Sequence, residues 1–328
     1  MIWLRFQFGP QIGMGHAVRC LTLARALGEA GGEVGLLLDD DAPDLPGAKD
    51  FPVYPVAPDG SWPDTGGILF DVSHARTGDT LSRSIKALTR KGRKCAVIDG
   101  LGTNAYTDSP KANLVLSPYL VPPGTPARSG KSCLEGPQYA ILGAEYADEP
   151  PELSGRKSRL LITIGGSDPW ALTETALDAA HGALTLPRFD ITVIAGPRLD
   201  TKRRSHLAAR CRKLEVELLD APSSLRDVLC ASAVAILGPG LTKYEAAACN
   251  TPAVILAPDE ETRTVNRPFA EAGLAYLLDA GQRNFAGELG AALGTQAARK
   301  RSSWSGRKIV DGQGAARSAA AIREALGE

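Results

Sequence analysis

Residues 1–38, MIWLRFQFGPQIGMGHAVRCLTLARALGEAGGEVGLLL, decide the fold. Ile2–Phe8 is a short apolar run, the mark of a buried strand. Gly9–Gly15 reads as a loop. His16–Ala30 puts Val18, Leu21, Leu23 and Leu27 at apolar positions of a helix, and Gly31-Gly32 stops it. Val34–Leu38 is a second apolar run. A strand, a glycine loop, a helix and another strand make a βαβ unit, and such a unit belongs to a parallel sheet.

The rhythm continues along the chain. Further strands are predicted at Ile68–Val72, Cys95–Ile98 and Leu114–Leu116, with a helix over Thr80–Lys91. The stretch 146–158, YADEPPELSGRKS, is polar and proline-rich, the composition of a linker. After it the pattern restarts. Strands are predicted at Leu160–Ile164, Ile191–Ile194, Val216–Leu219, Val234–Leu237 and Ala253–Ala257. Helices are predicted at Thr173–Ala183, Ser205–Lys213, Ser224–Cys230 and Thr242–Cys249. This gives an α/β protein of two Rossmann-like domains facing a cleft, residues 1–150 and 151–328. Gln313–Leu326 reads as a final amphipathic helix.

Composition narrows the class. The chain has 328 residues, 44% hydrophobic and 23% charged, which fits globular domains rather than disorder. Lys+Arg and Asp+Glu are both 37, so the formal net charge is zero. A protein that tracks nucleic-acid phosphates is usually basic, so that class is disfavoured. No apolar stretch reaches the length of a membrane-spanning helix. The start lacks the pattern of a secretory signal, so a cytoplasmic location is expected. Cys20, Cys95, Cys133, Cys211, Cys230 and Cys249 form no CxxC motif, and the chain has only four histidines. Reduced thiols are expected, with no metal site and no cofactor. Asp39-Asp40-Asp41 reads as a solvated turn.

In open α/β sheets, ligands bind outside the carboxyl ends of the strands. The first such loop carries Gly9, Gly13 and Gly15, then His16. Its glycines permit close approach of a ligand, and the helix start offers free N–H groups and a positive dipole end. That end favours a neutral imidazole, which can take a proton. A histidine that only caps the helix is the plain alternative. The loop is neither G-x-G-x-x-G nor a P-loop. Gly165-Gly166-Ser167-Asp168-Pro169 is a second turn into a helix, with Ser167 or Asp168 as candidate N-cap and Pro169 at the first helical position. Gly238-Pro239-Gly240-Leu241-Thr242 opens a third, and Glu245 one turn in suits a pair of ribose hydroxyls. Asn266 suits either a ligand or a helix cap. His74 follows the apolar run 68–72.

Together these segments resemble the PseG/SpsG family of nucleotide-sugar hydrolases. The matching stretches are IGMGHAVRCLTLARAL (12–27), GPQYAILGAEY (136–146), ITIGGSDPWALT (162–173), LGPGLTKYEAAACNTPAVIL (237–256) and VDGQGAARSAAAI (310–322). The family resembles the GT-B glycosyltransferases of the MurG type. The resemblance implies hydrolysis of a UDP-linked diacetamido-trideoxyhexose, as in pseudaminic acid synthesis. His16 would be the general base on water, with inversion and without a metal. Gly13, Met14, Gly15, Arg19, His74 and Asn266 would lie on the sugar side. Gly165, Gly166, Ser167, Gly238, Gly240, Leu241, Thr242 and Glu245 would hold the nucleotide. By analogy with GT-B proteins the last helix would pack back on the N-terminal domain. The segment Asp71-Val72-Ser73-His74 departs from the family's Asp-Ser-Tyr, and the tyrosine expected near the sugar is missing. Two other readings accompany the hydrolase: a glycosyltransferase with the same donor, and a non-catalytic nucleotide-sugar binder.

Overall fold

The computed structural model describes residues 1–9, 14–39, 45, 47–56, 62–72, 74–99, 112–121, 133–182, 189–298 and 304–328, with backbone alone at 74–80. Packing divides the chain into two compact units, residues 1–144 with 312–328, and residues 145–311.

Unit 1 contains β1 (Ile2–Phe6), α1 (Gly15–Glu29), β2 (Val34–Leu38), β3 (Val53–Pro55) and β4 (Gly67–Asp71). It continues with α2 (His74–Arg90), β5 (Cys95–Ile98), β6 (Leu114–Ser117) and β7 (Cys133–Glu135). The seven strands are parallel, in the order β3-β2-β1-β4-β5-β6-β7. The central strands are buried on both faces, so their sequences run continuously apolar instead of alternating. The pleat still sorts side chains between two cores. Ile2, Leu4 and Phe6 pack with α1, while Trp3, Ile68 and Phe70 pack with Leu81, Ile85 and Leu88 of α2.

The last helix, α9 (Gly314–Leu326), belongs to unit 1 and packs along α1 through Ala315, Ala319 and Ile322. Gly314 is required there, because a Cβ would lie 2.2 Å from the Ala140 carbonyl oxygen. Ser318 donates to the Tyr139 carbonyl at 3.1 Å, and the N-terminal amine pairs with Glu328 at 2.7 Å.

Unit 2 contains β8 (Arg159–Thr163), α3 (Leu172–Gly182), β9 (Asp190–Ala195), α4 (Thr201–Lys213), β10 (Glu217–Asp220), α5 (Arg226–Ala231) and β11 (Val234–Leu237). It ends with α6 (Thr242–Ala248), β12 (Ala253–Ala257), α7 (Glu260–Glu271), β13 (Ala275–Asp279) and α8 (Phe285–Ala298). Its six strands are parallel, in the order β10-β9-β8-β11-β12-β13. Leu160 and Ile162 of β8 share a core with Leu177, Leu207 and Leu293 from α3, α4 and α8.

Several expectations change at their edges. The first strand ends at Phe6 rather than Phe8, and α1 leaves Val18 more than half exposed. Strands β3, β7 and β13 and helices α7 and α8 lie outside the sequence reading. β3 and β7 have three residues each, too few to show a period. The stretch 146–158 is not a free linker. Tyr146, Leu153 and Arg156 are buried in unit 2. Arg156 donates to the Thr251 hydroxyl at 2.9 Å and to the carbonyls of Pro151 and Cys249 at 2.8 and 2.6 Å. Asp39 is not a merely solvated turn residue, since it accepts from Arg5 at 2.6 Å; Asp40 and Asp41 lie outside the described residues.

Each sheet reverses its strand order beside its first strand, with β2 on one side of β1 and β4 on the other, and β9 and β11 flanking β8. Such a switch point opens a crevice at the carboxyl ends of the two diverging strands.

Candidate active site

At the switch point of unit 1, Phe6 closes β1 and Asp71 closes β4, directly opposite in register. The chain leaves β1 and re-enters as α1, whose first turns carry His16, Arg19 and Cys20. Spacings of three and four residues put them on one helix face. That face meets Asp71.

The Asp71 carboxylate is almost wholly buried, and four contacts converge on it. His16 Nδ1 lies 2.7 Å from Oδ1. Arg19 clamps both oxygens, Nε to Oδ2 at 2.7 Å and Nη2 to Oδ1 at 2.5 Å. The Cys20 thiol donates to Oδ2 at 3.4 Å. Burial by itself pushes a carboxyl up, but Arg19 and His16 outweigh it and hold Asp71 well below the usual carboxylate range. Burial and the Asp71 charge push the Cys20 thiol up, so it remains S–H and acts as a donor.

Those charges fix the tautomer. A 2.7 Å contact between a ring nitrogen and a carboxylate oxygen needs a proton between them. Asp71 is ionised, so the proton is on Nδ1. In the neutral ring it is Nε2 that carries the lone pair. The His16 side chain is 22% exposed, so a ligand can reach it. Arg19 Nη2 also comes within 3.1 Å of Nδ1, which with Nδ1 protonated is a contact, not a bond.

Arg19 differs from its expected place on the sugar side. It is buried, clamped on Asp71, with its guanidinium carbon 5.7 Å from the Tyr119 ring centroid. Met14 is half-buried against the core, and Gly15 is exposed where α1 begins. Gly13 and the His74 side chain lie outside the described residues. Asp71 is the residue that sequence reasoning missed as a partner of His16. Its signal was a carboxylate ending an apolar strand run, and only the strand order brings it to β1.

At the switch point of unit 2, Thr163 and Leu237 close β8 and β11, paired in register. Gly165, Gly166 and Ser167 follow one strand, and Gly238, Gly240 and Leu241 follow the other. Gly165 has φ +97°, in the region glycine tolerates. A Cβ on Gly196, at the end of β9, would lie 2.1 Å from the Gly165 carbonyl oxygen. Gly165, Gly166 and Gly240 themselves face open space.

Helix α3 begins at Leu172, so Pro169 is not its first residue. Asp168 is buried and accepts from the backbone N–H groups of Leu172 and Thr173 at 2.9 and 3.0 Å. Arg203 pairs with Asp168 at 2.9 Å and holds the turn.

Glu245 is half-buried, one turn into α6. Burial pushes its carboxyl up to about 7, against hydrogen bonds from Tyr146 and Thr242. Asn266, expected at a ligand or a helix cap, is instead buried and engaged inside the unit. Its Oδ1 accepts from Lys243 Nζ at 2.5 Å and its Nδ2 donates to the Thr262 carbonyl at 2.7 Å. Asp259 caps α7 in its place, in a capping box with Thr262. Lys243 is buried over the rings of Tyr244 and Phe269, and burial pulls its ammonium down to about 7. No carboxylate pairs with it among the described residues.

MurG from Acinetobacter baumannii superposes on 99% of this chain and 99% of its own length, with a TM-score of 0.65 and 13% identity. Its fold is that of the GT-B glycosyltransferases. The spinosyn rhamnosyltransferase SpnG shares this GT-B fold over 100% of both chains, with a TM-score of 0.64 and 15% identity. It is also known complexed with thymidine diphosphate. Among curated proteins, the spore coat polysaccharide biosynthesis protein SpsG of Bacillus subtilis (strain 168) is 23% identical over 199 residues. That alignment spans 58% of this chain and 58% of SpsG, under two thirds of the relative's length. No protein-family model matches the chain. Among the described residues, no helix is long and apolar enough to cross a membrane, and no group of His, Cys, Asp or Glu is arranged to hold a metal.

Proposed function

We propose that this chain is a GT-B enzyme that cleaves the anomeric bond of a nucleoside-diphosphate sugar, with His16 as general base for glycosyl transfer to a hydroxyl acceptor. The observation that carries the reading is the 2.7 Å contact of His16 Nδ1 with ionised Asp71 at a switch-point crevice. It leaves Nε2 free to take a proton. The acceptor oxygen attacks the anomeric carbon and its proton passes to Nε2. The bond from that carbon to the diphosphate oxygen breaks, and the nucleoside diphosphate leaves with the electron pair. Attack opposite the leaving group inverts the anomeric centre.

The nucleotide would be held by unit 2. Backbone N–H groups of the loops at Gly165–Ser167 and Gly238–Thr242 would face the diphosphate, where charge develops. The Glu245 carboxylate would accept from the ribose hydroxyls. Uridine and thymidine diphosphates are the first nucleotides to test, since SpnG is known complexed with the latter and LpCGTa, of the same fold, with the former.

Water replacing the acceptor gives the second reading, a hydrolase. The resemblance of the stretches 12–27 and 162–173 to the PseG/SpsG hydrolases favours it. ³¹P NMR of the chain with a UDP-diacetamido-trideoxyhexose separates the two, run with EDTA, without acceptor and then with an acceptor panel. Release of UDP only with an acceptor supports transfer, and release without one supports hydrolysis. Donors unchanged across both UDP- and dTDP-sugar panels sink the proposal.

A further inference from the structure

The role of Arg19 goes beyond that reading and rests on His16 as the base. Its Nε and Nη2 form two parallel bonds to the two oxygens of one carboxylate. A lysine cannot make that fork. The guanidinium is buried against Tyr119, where it has little access to a ligand. The carboxylate it clamps is the one that accepts the hydrogen bond of His16 Nδ1–H.

The state of Asp71 decides what His16 can do. A buried carboxyl without a cation takes up a proton. A neutral Asp71 would carry O–H and donate to Nδ1. The ring proton would then move to Nε2, and the nitrogen facing the nucleophile would have no lone pair to offer. With the clamp in place, Asp71 accepts, Nδ1 keeps its proton, and Nε2 stays a base.

We propose that Arg19 is a positioning residue: it holds Asp71 as an anion and thereby fixes His16 in the Nδ1–H tautomer. It acts through Asp71 and does not touch the sugar.

The test is long-range ¹H–¹⁵N correlation of the histidine rings in the ¹⁵N-labelled full chain. His16→Gln assigns the signal among the four histidines. The wild type is expected to show His16 as Nδ1–H. Asp71→Asn, whose amide donates to Nδ1, supplies the Nε2–H reference. Arg19→Met is expected to shift His16 toward that reference. An unchanged Nδ1–H pattern in Arg19→Met overturns the proposal. Should Arg19→Met fail to fold, Arg19→Lys carries the test: a mixed tautomer is expected, and the pure wild-type pattern overturns it. Kinetics on Arg19→Lys give a second readout. A kcat at least tenfold lower with KM within about threefold of wild type supports positioning, since a positioned base contributes roughly 10²–10⁴. A raised KM at wild-type kcat means that Arg19 binds substrate, and sinks the idea. The tautomer needs no substrate, so it stands apart from any failure to find turnover.

Discussion

His16 and Asp71 are separated by 55 positions in the chain and by 2.7 Å in space. The helix that follows β1 supplies one, and the end of β4 supplies the other. Their proximity follows from the strand order, in which β4 returns to the free side of β1.

Replacing His16 by Asn should therefore reduce kcat by roughly 10²–10⁴, the range for a positioned general base. Nucleotide binding, measured by calorimetry, should stay within about twofold, because the loops proposed to hold the nucleotide belong to unit 2. A variant with near wild-type turnover would remove His16 from the mechanism.

Asp71 makes stability depend on acid. Its folded carboxyl is held below its unfolded value of about 3.9. The stabilisation is complete above the unfolded value and is lost as pH falls below about 4 toward the folded value. Thermal melting between pH 6 and 2.5 should show a steep loss of stability below pH 4. Asp71→Asn should flatten it while lowering the melting temperature at neutral pH, since breaking a buried pair costs about 3–5 kcal/mol.

Lys243 predicts a slope of the same sign in a different pH window. Its folded value of about 7 lies below the unfolded value near 10.4. The unfolded chain therefore binds more protons between these limits, and stability rises with pH across that window. The rise is at most about 5 kcal/mol. Lys243→Met should abolish it and melt higher than wild type at pH 6, where the wild type buries an ammonium. Parallel melting curves for the two proteins from pH 6 to 10 would count against this account.

Glu245 titrates near 7, and only its ionised form accepts from two ribose hydroxyls without giving up an oxygen to a proton. UDP affinity should fall by about tenfold from pH 8 to pH 6, following the ionised fraction. Glu245→Gln should bind more weakly at pH 8 and lose that dependence on pH. An equal pH slope in both proteins would remove Glu245 from the ribose.

Gly196 tests the proposed nucleotide role of the 165–167 loop by geometry alone. A methyl group at this position meets the carbonyls of Gly165 and Gly166 at 2.1 and 2.4 Å. Gly196→Ala should displace that loop and weaken UDP binding at least tenfold. Overpacking of this kind costs about 1–3 kcal/mol in stability. Unchanged affinity in calorimetry would mean that the 165–167 loop does not hold the nucleotide.

Much of this was legible in the linear chain. The run Ile2–Leu38 is long and periodic enough to specify a strand, a helix and a parallel strand. The glycine stretches after β1, β8 and β11 mark carboxyl-end loops. Boundaries were less legible. Asp168 reaches across a turn to cap α3, so the helix begins five residues beyond the second loop's serine. The polar stretch 146–158 reads as a linker because its anchor is Arg156, a charged residue whose burial depends on carbonyls up to 93 residues further along.

The sequence by itself determined the class of fold, because apolar runs that must bury both faces allow only a parallel sheet flanked by helices. It also marked the carboxyl-end loops, and put His16 at the opening of a helix at one of them. Tertiary structure alone decided the partners. It placed Arg19 on Asp71, drew Asn266 inward to a buried ammonium, and gave α9 to the first unit. Such pairings depend on strand order and on the balance of desolvation against charge. Both arise from contacts distant in sequence, which no local pattern encodes.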